Sequence, residues 1–286
     1  MVRGAGIIRK RSRRYCTLLH LFCTPPLPIP NTVVTRNPVG YNNAELRTDF
    51  KAVGFSFIAV GSANAEVDLT KVSVTGYTEG TAGDVIIQML DSSGNTIASY
   101  QWNDFDKKDK KTGETIHYEG WLDQDANDYI KEGDVVIPAG KGMWVYAPSE
   151  EWKILCNGQV FTAGQAVKLR SDFIMAANPY PCDIDLTTLF VSGYDKTSGT
   201  AGDVIIQMLD SSGNTIASYQ WNDFDKKDKK SGQTVHYEGW LDQDANDYVK
   251  EGDVTIKAND GLWTYAPDDT WYLNFPGILD DAPKAE

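Results

Sequence analysis

The sequence predicts an all-β protein made of two tandem homologous domains, each β-sandwich or jelly-roll-like. Three observations predict it. The 32 residues from Gly80 to Lys111, GTAGDVIIQMLDSSGNTIASYQWNDFDKKDKK, recur letter for letter from Gly199 to Lys230, 119 positions later. Short runs rich in β-branched and aromatic residues alternate with period two between clusters of Gly, Asn, Asp and Ser. No segment sustains a helical period.

The repeat extends beyond the identical block. LRTDF at Leu46 answers LRSDF at Leu169, DLT at Asp68 answers DLT at Asp185, and GY at Gly76 answers GY at Gly193. From Gly80 to Ile154, 60 of 75 positions match Gly199 to Leu273. The offset drifts from 123 to 117 to 119, so small insertions and deletions separate the copies, as expected of surface loops. Residues 1–41 read as a basic, proline-rich leader or N-terminal arm, 42–157 as repeat A, and 158–286 as repeat B with a short C-terminal tail. Each repeat is too long for a solenoid unit and suits a whole domain.

The elements follow in order. NTVVTRNPVGY (Asn31–Tyr41) is strand-capable, either as the first strand of repeat A or as a strand donated to a neighbouring molecule. FSFIAVG and KVSVTGY read as strands. DVIIQML and TIASYQW read as a hairpin around the loop DSSGN, with Thr96, Ala98, Tyr100 and Trp102 on one face and Ile97, Ser99 and Gln101 on the other. WNDFDKKDKK reads as a solvated loop of mixed charge, with a complementary contact between subunits as the rival reading. TIHYEGW, then DVVIPAGKGMWVYAP around a Pro-Gly turn, then EEWKILC complete seven or eight short strands per repeat. NGQVFTAGQAV (Asn157–Val167) joins the repeats with little slack.

Charge narrows the function. The chain has a formal net charge of −13, but its first 30 residues hold six bases and no acid, which leaves 21 bases against 40 acids (−19) for the remainder. Such a body repels phosphate backbones, so nucleic acid is not an expected partner. No stretch reaches the ~18 apolar residues of a membrane helix, so no membrane span is expected. MVRGAGIIRKRSRRYCTLLHLFCTPPLPIP is basic, then briefly apolar, then proline-rich. It reads either as a mis-called start or unstructured leader, or as a cleaved export signal.

Catalytic signatures are absent: no G-x-S-x-G, H-E-x-x-H or P-loop appears. His117 and His236, one per repeat, lie inside expected strands, where a lone histidine is usually structural. The eight tryptophans form four pairs across the repeats, and aromatic rings of this kind dominate sandwich cores. Trp121 and Trp240 are the candidates for a sugar-stacking role, since each follows a glycine and precedes an acidic loop. That loop carries Asp123, Asp125 and Asp128, repeated as Asp242, Asp244 and Asp247. Clustered carboxylates suit Ca²⁺, whereas Asp and Asn are equally good turn formers. No other cofactor is expected. Cys156 and Cys182 have no counterpart in the other repeat and read as unlinked thiols, or as a bridge if the protein is exported.

The order GDV.IQ.LD..G, Y.W.D, GW.D, G.G.W and NPYP resembles tandem-repeat proteins of gut and other anaerobic bacteria, over most of residues 42–275. The resemblance implies a β-rich, exported protein and transfers no catalytic residue. The duplication itself points to two copies presenting the same surface. The expected function is a non-enzymatic structural or self-assembling protein at an extracellular surface: a filament, surface-layer or virion component. Domains in series would offer heterologous contacts that propagate. A bivalent carbohydrate-binding protein is the alternative, and a glycoside hydrolase the third reading.

Overall fold

Antiparallel strands build both halves of the chain. The structure is a computed structural model and describes residues 39–46, 51–54, 57–58, 66–91, 93, 95–161, 163–210 and 213–277. Repeat A runs β1 (Val39–Glu45), β2 (Lys51–Gly54), β3 (Phe57–Ile58), β4 (Glu66–Asp68), β5 (Val72–Thr75), β6 (Thr81–Leu90), β7 (Thr96–Lys108), β8 (Thr115–Asp123), β9 (Asp128–Tyr129), β10 (Val136–Pro138), β11 (Gly142–Tyr146) and β12 (Lys153–Val160). Repeat B runs β13 (Gln165–Lys168), β14 (Ile174–Ala177), β15 (Ile184–Asp185), β16 (Phe190–Ser192), β17 (Thr200–Leu209), β18 (Thr215–Lys227), β19 (Thr234–Asp242), β20 (Asp247–Tyr248), β21 (Thr255–Ile256), β22 (Gly261–Tyr265) and β23 (Tyr272–Phe275). Helical structure among the described residues is limited to single 3-10 turns at Leu69–Lys71 and Leu186–Thr188, so the all-β expectation holds.

The strand order is shared. Repeat A forms a six-stranded sheet β2-β11-β6-β7-β8-β9, and repeat B forms β14-β22-β17-β18-β19-β20. A second layer is centred on β12, flanked by β1 and β5, and on β23, flanked by β13 and β16. The alternation read in TIASYQW is visible in burial: Tyr100 and Trp102 point into the core, and Gln101 lies on the opposite face. Each repeat has its own core. In the first, Val85, Ile87, Trp102 and Trp121 meet Val72, Val74 and Ile154 from the second layer. In the second, Val204, Ile206, Trp221 and Trp240 meet Val191 and Leu273.

One sequence expectation changes and two open readings close. WNDFDKKDKK is not a loop. β7 continues to Lys108 and pairs in register with β8 as far as Lys108↔Thr115, so only residues 109–114 turn. Its polar alternation belongs to a two-stranded ribbon that runs beyond the core, where neither face demands apolar side chains. Residues 39–41 lie in β1, paired with Gln159, Gly158 and Asn157 of the same chain. That is the intramolecular first strand rather than a donated one; residues 31–38 lie outside the described residues, as do Cys16 and Cys23. Cys156 and Cys182 are not bridged to one another, and Cys156 is buried against the core of repeat A.

The two repeats also meet each other. Both repeats belong to one compact unit. The edge strand β2 and its neighbour β11 meet β14 and β22, which occupy the same two places in the second sheet. Ala177 N–H donates to the Gly140 carbonyl at 2.7 Å, Lys141 bridges Ala176, and the Lys51 ammonium stands 3.6 Å from Asp260. One patch thus meets its own copy, the reciprocal pattern of a closed two-fold contact. The patch is used up within the chain.

Candidate functional site

The long β7–β8 ribbon and its copy β18–β19 carry most of the polar chemistry that the two repeats share. Register places Asp104 opposite Glu119 and Asp106 opposite His117, all on the face that becomes core two residues further along. His117 Nδ1 lies 3.0 Å from Asp106, and its Nε2 lies 3.6 Å from Asp104 and 3.7 Å from Glu119. Tyr77, from the loop after β5, donates its hydroxyl to the other oxygen of Asp104 at 2.6 Å, and the Trp102 indole N–H points back to that hydroxyl at 3.4 Å. The sequence Trp102–Tyr77–Asp104–His117–Asp106 therefore ties a loop to both strands of the ribbon. Repeat B reproduces it with Trp221, Tyr194, Asp223, His236, Asp225 and Glu238.

The electrostatics follow from the partners. The hydrogen bond that His117 donates to Asp106, with the charges of Asp104 and Glu119, raises His117 above its ordinary 6.5; Asp225 does the same for His236. Burial and the bond to Asp104 push the Tyr77 hydroxyl up to about 12, so it remains a donor at neutral pH. Among the described residues no hydroxyl or thiol side chain hydrogen-bonds either imidazole. The cluster can hold a proton between carboxylates, and it braces the ribbon.

A pH dependence follows. A histidine whose folded pKa is raised stabilises the fold fully below the unfolded value and loses that contribution as pH rises through the folded value. Between about pH 6 and pH 8 the melting temperature should therefore fall. Combined His117→Gln and His236→Gln substitution should flatten that slope. NMR titration of the two rings checks the cause directly: midpoints at or below 6.5 would remove it.

The sugar-stacking candidates are placed differently from the expectation. Trp121 and Trp240 are each 2% exposed. Their indole N–H groups donate to the Val72 and Leu189 carbonyls at 2.7 and 2.8 Å, and they pack edge-on against Trp102 and Trp221. A ring with no exposed face cannot stack on a sugar. Their place before an acidic loop does not say which side of the sheet the rings take.

The acidic loop is a turn. The Asp123 carboxylate accepts from the N–H groups of Asp125 and Ala126, and Asp128 accepts from Tyr129 N–H. Asn127 takes φ 53 to close the turn. Asp242, Asp247 and Asn246 repeat the arrangement, with Asp244 and Ala245 N–H bound to Asp242. Asp125 and Asp244 stay exposed. Among the described residues no three His, Cys, Asp or Glu side chains converge as a metal would need.

Sequence reasoning missed Tyr77, Asp104, Glu119 and their copies. Reading WNDFDKKDKK as strand would have found Asp104 and Glu119, because antiparallel register about the 109–114 turn sets Asp106 across from His117 and Asp104 across from Glu119, whereas nothing in the sequence points to Tyr77. No protein family, curated protein or solved structure matches the chain. The fold and these features define a duplicated all-β protein with one ribbon-borne cluster per repeat.

Proposed function

We propose that the protein is a non-enzymatic structural component that associates with further copies of itself at an extracellular surface. The observation that supports this reading is the charge separation along β8. At one end, the ribbon tip over residues 107–114 presents exposed Lys107, Lys108, Lys110 and Lys111 against Asp109 and Glu114, net +2. The tip's Asp109 is taken up by the N–H groups of Thr112 and Lys111, and Asp106 faces His117. At the other end, residues 123–134 hold Asp123, Asp125, Asp128, Glu132 and Asp134 against Lys131, net −4. Repeat B has the same polarity, with Lys226, Lys227, Lys229 and Lys230 at its tip and net −4 over residues 242–253.

A lysine tip cannot reach the acidic turn of its own strand, because a paired strand is stiff and the two groups sit at its opposite ends. The tip of one molecule and the acidic turn of another satisfy each other instead. This is a heterologous contact, and such contacts propagate. With the β2/β14 patches already turned on one another, two such contacts per molecule are left for neighbours.

Sizing and negative-stain microscopy test the reading across ionic strength. Assemblies should form at about 0.01 M salt, where the screening length is about 30 Å, and dissolve near 1 M, where it is about 3 Å. Replacing all eight tip lysines by glutamate should abolish assembly in a chain that still folds. A monomer at every salt concentration, or assembly unaffected by the lysine changes, would refute the proposal.

A further inference from the structure

The β7–β8 ribbon leaves one backbone edge unpaired. Backbone groups along β8 alternate in direction. Gln124 N–H donates to the Ser99 carbonyl of β7, whereas the Trp121 carbonyl accepts on the other side, from the N–H of Ile130, the residue after β9. Even-numbered residues of β8 thus face β7, and odd-numbered ones face away from it. β9 pairs only with Leu122 and Asp123. Thr115, His117 and Glu119 therefore point their N–H and C=O groups off the sheet, and no strand among the described residues pairs with them there. Their side chains are exposed, as is that of Ile116, at 40%. Repeat B carries the same edge at Thr234, His236 and Glu238, with exposed Val235 in the place of Ile116.

An unpaired antiparallel edge is complementary to itself, because a two-fold rotation sets its donors against its own acceptors. The side chains then select the register. With the axis through Tyr118, His117 stands opposite Glu119 of a second copy, and Glu119 opposite that copy's His117. With the axis through His117 instead, two imidazoles would face each other and Glu119 would face Thr115. Opposite charges across a strand pair are favourable, so the first register wins. On the other side of the ribbon it sets exposed Ile116 against Gly120, where it can bury beside the Tyr129 ring. Charged side chains on an edge ordinarily discourage pairing. These alternate in sign, so a reversed copy of the same strand satisfies them.

We infer that the free edges of β8 and β19 are where copies of this chain join, each pairing antiparallel with the same edge of a neighbour about Tyr118 or Tyr237. The inference rests on the self-association proposed above and gives it a geometry. The lysine tip and the acidic turn sit at opposite ends of one strand. Antiparallel pairing of two such strands therefore brings tip to turn at both ends of the contact at once. The incoming strand runs out where β9 begins, which leaves its tip beside the acidic turn. A second copy is the occupant rather than an unrelated strand, because an unrelated strand would have to supply histidine, glutamate and a lysine tip in the same reversed order. The edges TIHYEG and TVHYEG differ at one position, so either repeat can pair with either. Two edges per chain make each molecule bivalent, and joined copies extend in a row.

Amide hydrogen exchange on the full chain, assembled at about 0.01 M salt and dispersed near 1 M, tests this residue by residue. The amides of His117, Glu119, His236 and Glu238 should slow about tenfold or more on assembly. Those of Ile116 and Tyr118, already bonded to β7, should be slow in both states. His117→Pro with His236→Pro removes one outward N–H per edge and no ladder bond. Sedimentation should show assembly abolished in that chain with every tip lysine in place. If circular dichroism shows that it does not fold, Glu119→Lys with Glu238→Lys, which sets like charges opposite each histidine, replaces it. Assembly in which the four amides exchange as fast as in the dispersed chain, or that survives the edge variants, overturns the edge pairing and leaves self-association to another surface. A parent chain that stays monomeric at every salt concentration overturns both.

Discussion

Trp121→Ala and Trp240→Ala should each destabilise the protein by about 3–5 kcal/mol, the range for removing a buried aromatic side chain. Both rings are almost wholly buried, and each indole N–H reaches across the core to a carbonyl of the opposite layer, Val72 or Leu189. Alanine leaves a cavity beside Trp102 or Trp221 and also leaves that carbonyl without its donor. The unpaired carbonyl alone costs about 1–3 kcal/mol, so Trp121→Phe should recover only part of the loss. Because each repeat has its own core, the two alanine variants should resemble one another. Denaturant unfolding followed by tryptophan fluorescence measures this. A loss below about 1 kcal/mol in either variant would mean that the ring is not a core anchor.

Gly76→Ala and Gly193→Ala carry the next largest expected effect, about 3 kcal/mol or more each. Both glycines take φ +97, and a Cβ there would stand 2.1 Å from the Glu151 carbonyl oxygen or 2.2 Å from that of Thr270. The obstacle is backbone, which cannot swing aside as a side chain can. The following residue is Tyr77 or Tyr194, whose hydroxyl holds Asp104 or Asp223, so displacement of the loop also loosens the histidine cluster. Gly113→Ala is the control. It also has positive φ, +75, but nothing lies within 4 Å. Its cost should stay near the ~1–2 kcal/mol of left-handed strain alone. Equal melting temperatures for the Gly76 and Gly113 variants would show that steric contact plays no part.

This pair of glycines shows how sequence landmarks acquire a cause. The repeated GY was visible as a matching dipeptide, yet nothing in the dipeptide says that a carbonyl 75 residues away closes over the glycine. NPYP in repeat B is similar. Asn178 is fully buried and donates to the carbonyls of Cys182 and Lys257, while the Tyr180 hydroxyl donates to those of Ala163 and Phe275. The motif clamps the start of repeat B to its end. Repeat A lacks those letters and has a longer segment there, which is where the offset between the repeats drifts.

Period-two alternation, turn residues and the duplicated block were enough to establish the all-β class, the shared landmarks and the division of TIASYQW into two faces. Those properties are local: a side chain's face depends only on its parity within a strand. The same letters could not say where a strand ends when its flanks are polar, so the ribbon through Asp104–Lys108 was taken for a loop. Nor could they say which face of a sheet a second layer covers. Trp121 is buried and Tyr118 half-exposed, three residues apart on one strand, because β5 and β12 pack on one side and leave the other uncovered. The reciprocal meeting of β2 with β14, the bond from Asn103 to the Tyr129 hydroxyl and the carboxylates around His117 each join residues from separate strands. Only tertiary structure decides such contacts, because cross-strand register and layer packing are properties of pairs of segments that no single segment encodes.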